Sequence, residues 1–208
     1  MSPRPRKVSD EEILAATLRA MGRLGPGELT LAEIAAEAGV TAGAVAQRFG
    51  SKRDLLLAVA EHGAAGSADF LRALGARHRS PLAALRDYAT CMSHLASSPA
   101  ALARNLAYLQ IDVADAAFRA HLAAQARTTR AWFESLLRDA VAAGELAPRT
   151  DARALARTVE VALNGALFTW AIHQEGTAER SIRASIEAVL RPYLASRRRS
   201  ASAAASSR

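Results

Sequence analysis

The sequence predicts an all-α protein, with a small N-terminal three-helix head followed by a larger helical body. Three observations predict it. Apolar residues recur at three- and four-residue spacing almost throughout, and strict alternation is absent. Segment after segment opens on Ser, Thr or Asp, and several close on Gly. Half of the 208 residues are hydrophobic and 23% are charged, ordinary proportions for a globular chain with buried cores.

Residues 1–8, carrying Arg4, Arg6 and Lys7, are expected to form a disordered basic arm. Ser9 with Glu12 has the spacing of a capping box. Ile13, Thr17, Met21 and Leu24, with Leu14 and Leu18 beside them, then form the first helix, and Gly25-Pro26-Gly27 ends it. Thr30 caps a second helix with Glu33 three residues on. Leu31, Ile34, Ala35 and Ala38 give that helix one apolar face. Gly39 stops it, since glycine tolerates positive φ. Val40 fills the space between two crossing helices, and Thr41 caps a third helix with Val45 and Phe49 inside. Gly50 ends that helix, and Ser51 opens a fourth with Asp54 in capping position. Two short helices joined by a glycine turn are the helix-turn-helix unit, whose second helix enters the DNA major groove.

At this point Gly39-Val40-Thr41, Val45, Phe49, Ser51-Lys52 and Leu55-Leu56-Leu57 resemble the DNA-binding signature of tetracycline-repressor-type (TetR family) regulators. The pattern departs at Ala44 and Ala46, where the family more often carries a hydroxyl and a tyrosine. The resemblance implies an N-terminal helix-turn-helix DNA-binding head and a helical ligand-binding and dimerisation body. It also implies repression relieved by a small molecule. On this reading residues 9–50 are the DNA-binding domain and residues 51–195 the body, of which 51–66 is a linking helix.

Charge is concentrated rather than spread. Residues 1–55 carry eight Lys/Arg against seven Asp/Glu, while residues 191–208 carry five Arg and no acid, out of a net +7. The bulk charge is therefore weak evidence for nucleic acid, and the local arrangement is better evidence. Thr30, Thr41 and Ser51 stand at helix N-termini, where unpaired N–H groups and the dipole attract phosphate. Lys52 sits in a first turn that disfavours a cation, a cost that a phosphate partner would offset. Gln47 has the donor–acceptor pair to read adenine, and Arg48 suits guanine or phosphate. Ala42 and Gly43 let the helix backbone approach the groove. The expected partner is double-stranded DNA carrying a palindromic operator.

In the body, Gly63 and Gly66 mark either the end of the fourth helix or a weak point within it. Pro81 starts a helix with Leu82, Leu85, Ala89, Met92 and Ala96 on one face, and Ser97-Ser98-Pro99 breaks it. A short helix with Leu102, Leu106 and Leu109 precedes a long one, expected from near Asp112–Asp115 to Gly144. Tyr88, Met92, Tyr108, Phe118, Leu122, Gln125, Thr129, Trp132, Asn164 and Phe168 are candidates for an apolar effector pocket with a few polar groups. The alternative for each is core packing.

Asp151 opens a helix that is apolar on two faces, Leu155, Val159, Leu163, Ala166 and Trp170 against Val161, Gly165, Phe168 and Ile172. Burying both calls for a second subunit, so a homodimer is expected through Val161, Gly165 and Ile172 with Ile182, Ile186 and Val189 of the last helix. Residues 196–208 are Ser-, Ala- and Arg-rich and are expected to be disordered.

Other chemistries find little support. Cys91 is the single cysteine, so no intrachain disulfide can form. The five histidines lack ligand spacing, and no metal or cofactor is expected. No catalytic signature appears, no signal peptide is recognisable and no apolar run is long enough to span a membrane, so a cytoplasmic protein is expected. Two rivals remain: a DNA-binding regulator controlled by protein contacts or abundance, and a helical enzyme with an incidental hairpin.

Overall fold

The computed structural model describes residues 8–195. The sequence-expected arm and the tail at 196–208 lie outside these residues, except Val8. That residue packs against the core of the head rather than standing free of it. Nine α-helices and no strand occur among the described residues: α1 (Asp10–Arg23), α2 (Leu31–Ala38), α3 (Ala42–Phe49), α4 (Lys52–Gly75), α5 (Pro81–Ser93), α6 (Pro99–Ala114), α7 (Ala116–Ala142), α8 (Ala152–His173) and α9 (Ala178–Leu190). They form two compact units, one of residues 8–67 with 98–126, the other of residues 68–97 with 127–195. This division differs from the sequence boundary at residue 50, because the first unit also takes in α6 and the start of α7.

In the first unit the expected caps form. The Ser9 hydroxyl accepts from the Glu12 amide at 3.1 Å, and the Ser9 amide donates back to the Glu12 carboxylate at 2.8 Å. Thr30 accepts from the Glu33 amide and Thr41 from the Ala44 amide, both at 3.1 Å. Each such cap satisfies one of the orphan amides of a helix start. Gly39 ends α2 at φ 68°, ψ 32°, the left-handed conformation that closes the tight turn into α3. Ile13, Leu14, Ala20, Leu29, Ile34, Val45, Leu55, Val59, Tyr108 and Phe118 share one core. Burial of four or five such side chains, at about 2 kcal/mol each, outweighs the marginal stability of helices of only eight residues. Arg19 and Arg23 of α1 both pair with Glu37 of α2, holding its carboxyl below the usual range.

Two expectations about helix ends are corrected. α4 continues through Gly63 and Gly66 to Gly75, since the apolar spacing of its flanking residues resumes beyond the glycines. The helix before α7 is not short: α6 runs to Ala114 and contains Asp112. Asp115 is the true start of the next helix. Its carboxylate accepts from the Ala117 amide at 2.9 Å and also receives Arg53 of α4.

In the second unit α8 and α9 are capped by Asp151 and Thr177. The Glu145 carboxylate accepts from Ser80 and from the Leu82 amide at the start of α5. The core joins Leu82 and Leu85 of α5, Phe133 and Leu137 of α7, Leu155, Val159, Leu163 and Trp170 of α8, and Ile182 and Ile186 of α9. Arg86 on α5 forks onto Glu187 on α9.

Candidate nucleic-acid interface and effector cavity

The helix-turn-helix places its candidates unevenly. Thr30, Thr41, Ala42, Gly43, Gln47 and Ser51 are exposed, while Val45 is fully buried on the opposite side of α3. α3 therefore turns a small-residue surface with one amide side chain outward. Gly43 has only the Thr41 hydroxyl near its Cβ position, so the backbone there stands clear of other groups.

The two basic candidates each have partners within the protein as well. The Lys52 ammonium donates to the carbonyls of Pro26 at 3.0 Å and Leu29 at 2.8 Å. Loop carbonyls thus offset at least part of the cost of a cation in the first turn of α4. Arg48 donates to the Val8 carbonyl at 2.6 Å and lies 3.4 Å from the Asp10 carboxylate. Ser51 donates to Asp54 and accepts from its amide, closing the cap of α4. Arg53 makes two bonds to Asp115 and lies over the Phe118 ring at 5.5 Å. That guanidinium first, and the Ala117 amide second, hold the Asp115 carboxyl below its usual range.

The ten pocket candidates separate into three groups. Tyr108, Phe118, Leu122 and Gln125 line a cavity of about 210 Å³ within the first unit. Its other walls are Leu18 and Met21 of α1, Leu56, Val59, Ala60 and Gly63 of α4, and Ile111 and Asp112 of α6. The Tyr108 hydroxyl donates to the Leu24 carbonyl at 2.9 Å, so one wall grips the end of α1. Tyr88, Met92, Thr129 and Trp132 belong to the second unit, where Tyr88, Trp132 and Phe133 form an aromatic cluster with centroids 5.0–5.8 Å apart. Trp132 also stands against Gly75 of α4, its indole nitrogen 3.6 Å from where a Cβ would lie. Asn164 and Phe168 are exposed together on one face of α8 and are not among the residues lining that cavity.

Sequence reasoning missed the α1 and α4 walls and Asp112. Leu18 and Met21 had the spacing of ordinary core positions. Asp112 resembled a helix start, and its place inside α6 became legible only with the helix boundary.

The expected dimer surface is half corrected. Val161 and Ile172 are each 70% exposed and Phe168 54%, with Gly165 open between them. Ile182 and Ile186 are 0% and 1% exposed, and Val189 is half-buried, so the apolar stripe of α9 is used within its own chain.

The model of the bacterial regulatory proteins of the tetR family matches residues 13–59. That of the tetracyclin repressor-like C-terminal domain matches residues 105–186. The chain belongs to the TetR family of DNA-binding transcriptional regulators. Solved structures share the fold. A TetR transcription regulator from Haloarcula marismortui ATCC 43049 superposes at TM-score 0.71 and 21% identity, covering 89% of this chain and 97% of its own. SmeT, the repressor of the Stenotrophomonas maltophilia multidrug efflux pump SmeDEF, superposes at 0.64 and 24% identity, covering 90% and 91%. FadR from Bacillus subtilis in complex with stearoyl-CoA gives 0.64 and 16%, covering 87% and 97%. A comparison with curated proteins finds no match. Among the described residues no helix is long and apolar enough to cross a membrane.

Proposed function

We propose that this TetR-family regulator is a cytoplasmic homodimeric repressor that leaves a palindromic operator when a small, largely apolar molecule binds. The observation that carries this reading is the cavity of about 210 Å³ between α1, α4, α6 and α7. Its walls include the helix that precedes the motif and the one that follows it. A ligand seated there would bias the position of α3, which those helices flank. The volume is below the roughly 300–1,000 Å³ of drug-sized pockets, which favours a smaller effector than the stearoyl-CoA held by FadR. SmeT, named as a repressor, supports repression as the sign of regulation.

Thr41, Ala42, Gly43 and Gln47 form the reading surface in this proposal, with Thr30, Ser51, Arg48 and Lys52 around it as phosphate contacts. In a two-fold dimer built on the α8 face, the half-sites lie about one turn (~34 Å) or a multiple apart. The test is thermodynamic. An operator is first selected from random duplexes, and compounds that raise the melting temperature of the protein are then identified. Such a compound must weaken operator binding by the factor by which operator weakens its own binding. Compounds that bind without changing operator affinity would refute ligand release and favour control by protein contacts or abundance.

A further inference from the structure

The cavity wall is apolar except for Asp112, Gln125 and the hydroxyl of Tyr108. The Tyr108 hydroxyl is engaged with the Leu24 carbonyl. Asp112 is half-buried and, among the described residues, its carboxylate has no hydrogen-bond or ion-pair partner. Arg53 pairs with Asp115. Burial alone pushes the Asp112 carboxyl above its ordinary range, with no nearby charge acting on it. A carboxylate on an apolar wall is costly unless something pairs with it. The neighbouring carboxylate shows the contrast, since Asp115 caps α7 and binds Arg53.

We propose that this cavity is a binding site for a small organic cation, with its apolar body between α1, α4, α6 and α7 and its ammonium paired to the Asp112 carboxylate. The inference rests on the effector reading above and adds the chemical class. Gly63 keeps the α4 wall free of a side chain. Leu56, Val59 and Phe118 supply the apolar contact. An ammonium–carboxylate pair at a partly desolvated site is stronger than a neutral hydrogen bond, so charge should decide affinity among ligands of one shape.

The experiment uses three probes with one skeleton, 3-phenylpropylamine, 3-phenylpropanol and 3-phenylpropionate, titrated calorimetrically into the full chain without DNA. The ammonium form should bind at least about tenfold tighter than the alcohol, and the carboxylate weakest. Asp112→Asn should bring the amine down to the affinity of the alcohol while the alcohol keeps its own affinity, which also shows that the variant is folded. Leu122→Trp, which fills the cavity, should abolish both. The proposal is overturned if the amine gains nothing over the alcohol, if its advantage survives in Asp112→Asn, if Leu122→Trp leaves it bound, or if no probe binds. Operator displacement is measured separately. An amine that binds through Asp112 but leaves operator affinity unchanged refutes ligand release and keeps the site. A neutral compound that releases operator equally from the wild type and from Asp112→Asn refutes the cation and keeps ligand release.

Discussion

The Lys52 ammonium lies 2.8 Å from the Leu29 carbonyl and 3.0 Å from that of Pro26, so a residue of α4 fastens the loop between α1 and α2. Hydrogen bonds from a charged donor contribute about 1.5–3 kcal/mol each at sites removed from bulk water, and Lys52 is half-buried. Lys52→Met keeps the stem and loses the donors. It should lower unfolding free energy in urea by about 1–3 kcal/mol. An ammonium has three protons, and two are used, so one remains for a phosphate. If that proton contacts DNA, the same variant lowers the salt slope of operator binding by about one. A loss of stability with an unchanged slope would confine Lys52 to the loop.

Gln47 is exposed on α3 while Val45 is fully buried. In that orientation the amide faces the groove in the proposed complex. Gln47→Ala should relax preference at one operator position by about 1–3 kcal/mol and leave binding to random DNA nearly intact. Equal losses on specific and random duplexes would mark a backbone contact.

The apolar face of α8 left open by its own subunit runs through Val161, Phe168 and Ile172. Ile172 is 70% exposed, so Ile172→Glu should leave the subunit fold intact while a buried interface would reject the charge. Sedimentation should then report a monomer, with operator binding weakened because two half-sites are no longer read together. A variant that remains dimeric would move the interface away from this face.

Gly63 and Gly66 lie inside α4, and a Cβ at either would meet nothing within 4 Å. Glycine in a helix interior costs about 1 kcal/mol against alanine. Gly66→Ala should therefore raise stability by up to that amount, read as a higher melting temperature. If the weakness of α4 serves the switch, the ligand–operator coupling should fall in the same variant. A destabilised Gly66→Ala would mean that the helix needs the glycine for its path.

Much of the head was legible because its signals are local. Ser9, Thr30, Thr41 and Ser51 cap the helices that their positions foretold, and Gly39 takes the positive φ that its turn requires. The misread features depend on tertiary context. Asp112 and Asp115 both look like helix starts, but only one meets a free amide. α8 and α9 each carry an apolar stripe, and periodicity does not say which stripe its own subunit covers. Ile182 and Val161 look alike in sequence, yet one is sealed and the other bare. The partners of Lys52 are loop carbonyls, which leave no mark in the side-chain pattern. Tyr88 and Tyr108 likewise look equivalent as pocket aromatics, and only packing assigns them to different units.

Asp112 yields a prediction about stability as well as binding. Its folded carboxyl titrates above the ordinary Asp value of 3.8 because burial penalises the charge. Between the unfolded and folded values the native state holds more protons than the unfolded chain, so stability falls as pH rises through that window. Above both values the loss is complete. Asparagine does not titrate and carries no buried charge. Asp112→Asn should therefore be more stable than the wild type at pH 7, with the difference shrinking as pH falls toward 4 and below. Tyr108, the other titratable group on the cavity wall, is itself pushed up by burial and stays protonated across this range. Urea unfolding at several pH values checks the trend. Saturating 3-phenylpropylammonium should narrow the gap at pH 7, because the cation binds the form that keeps the carboxylate more tightly and stabilises it more. If Asp112→Asn is instead less stable at pH 7, the carboxylate already has a stabilising partner, and the site loses its reason to attract a cation.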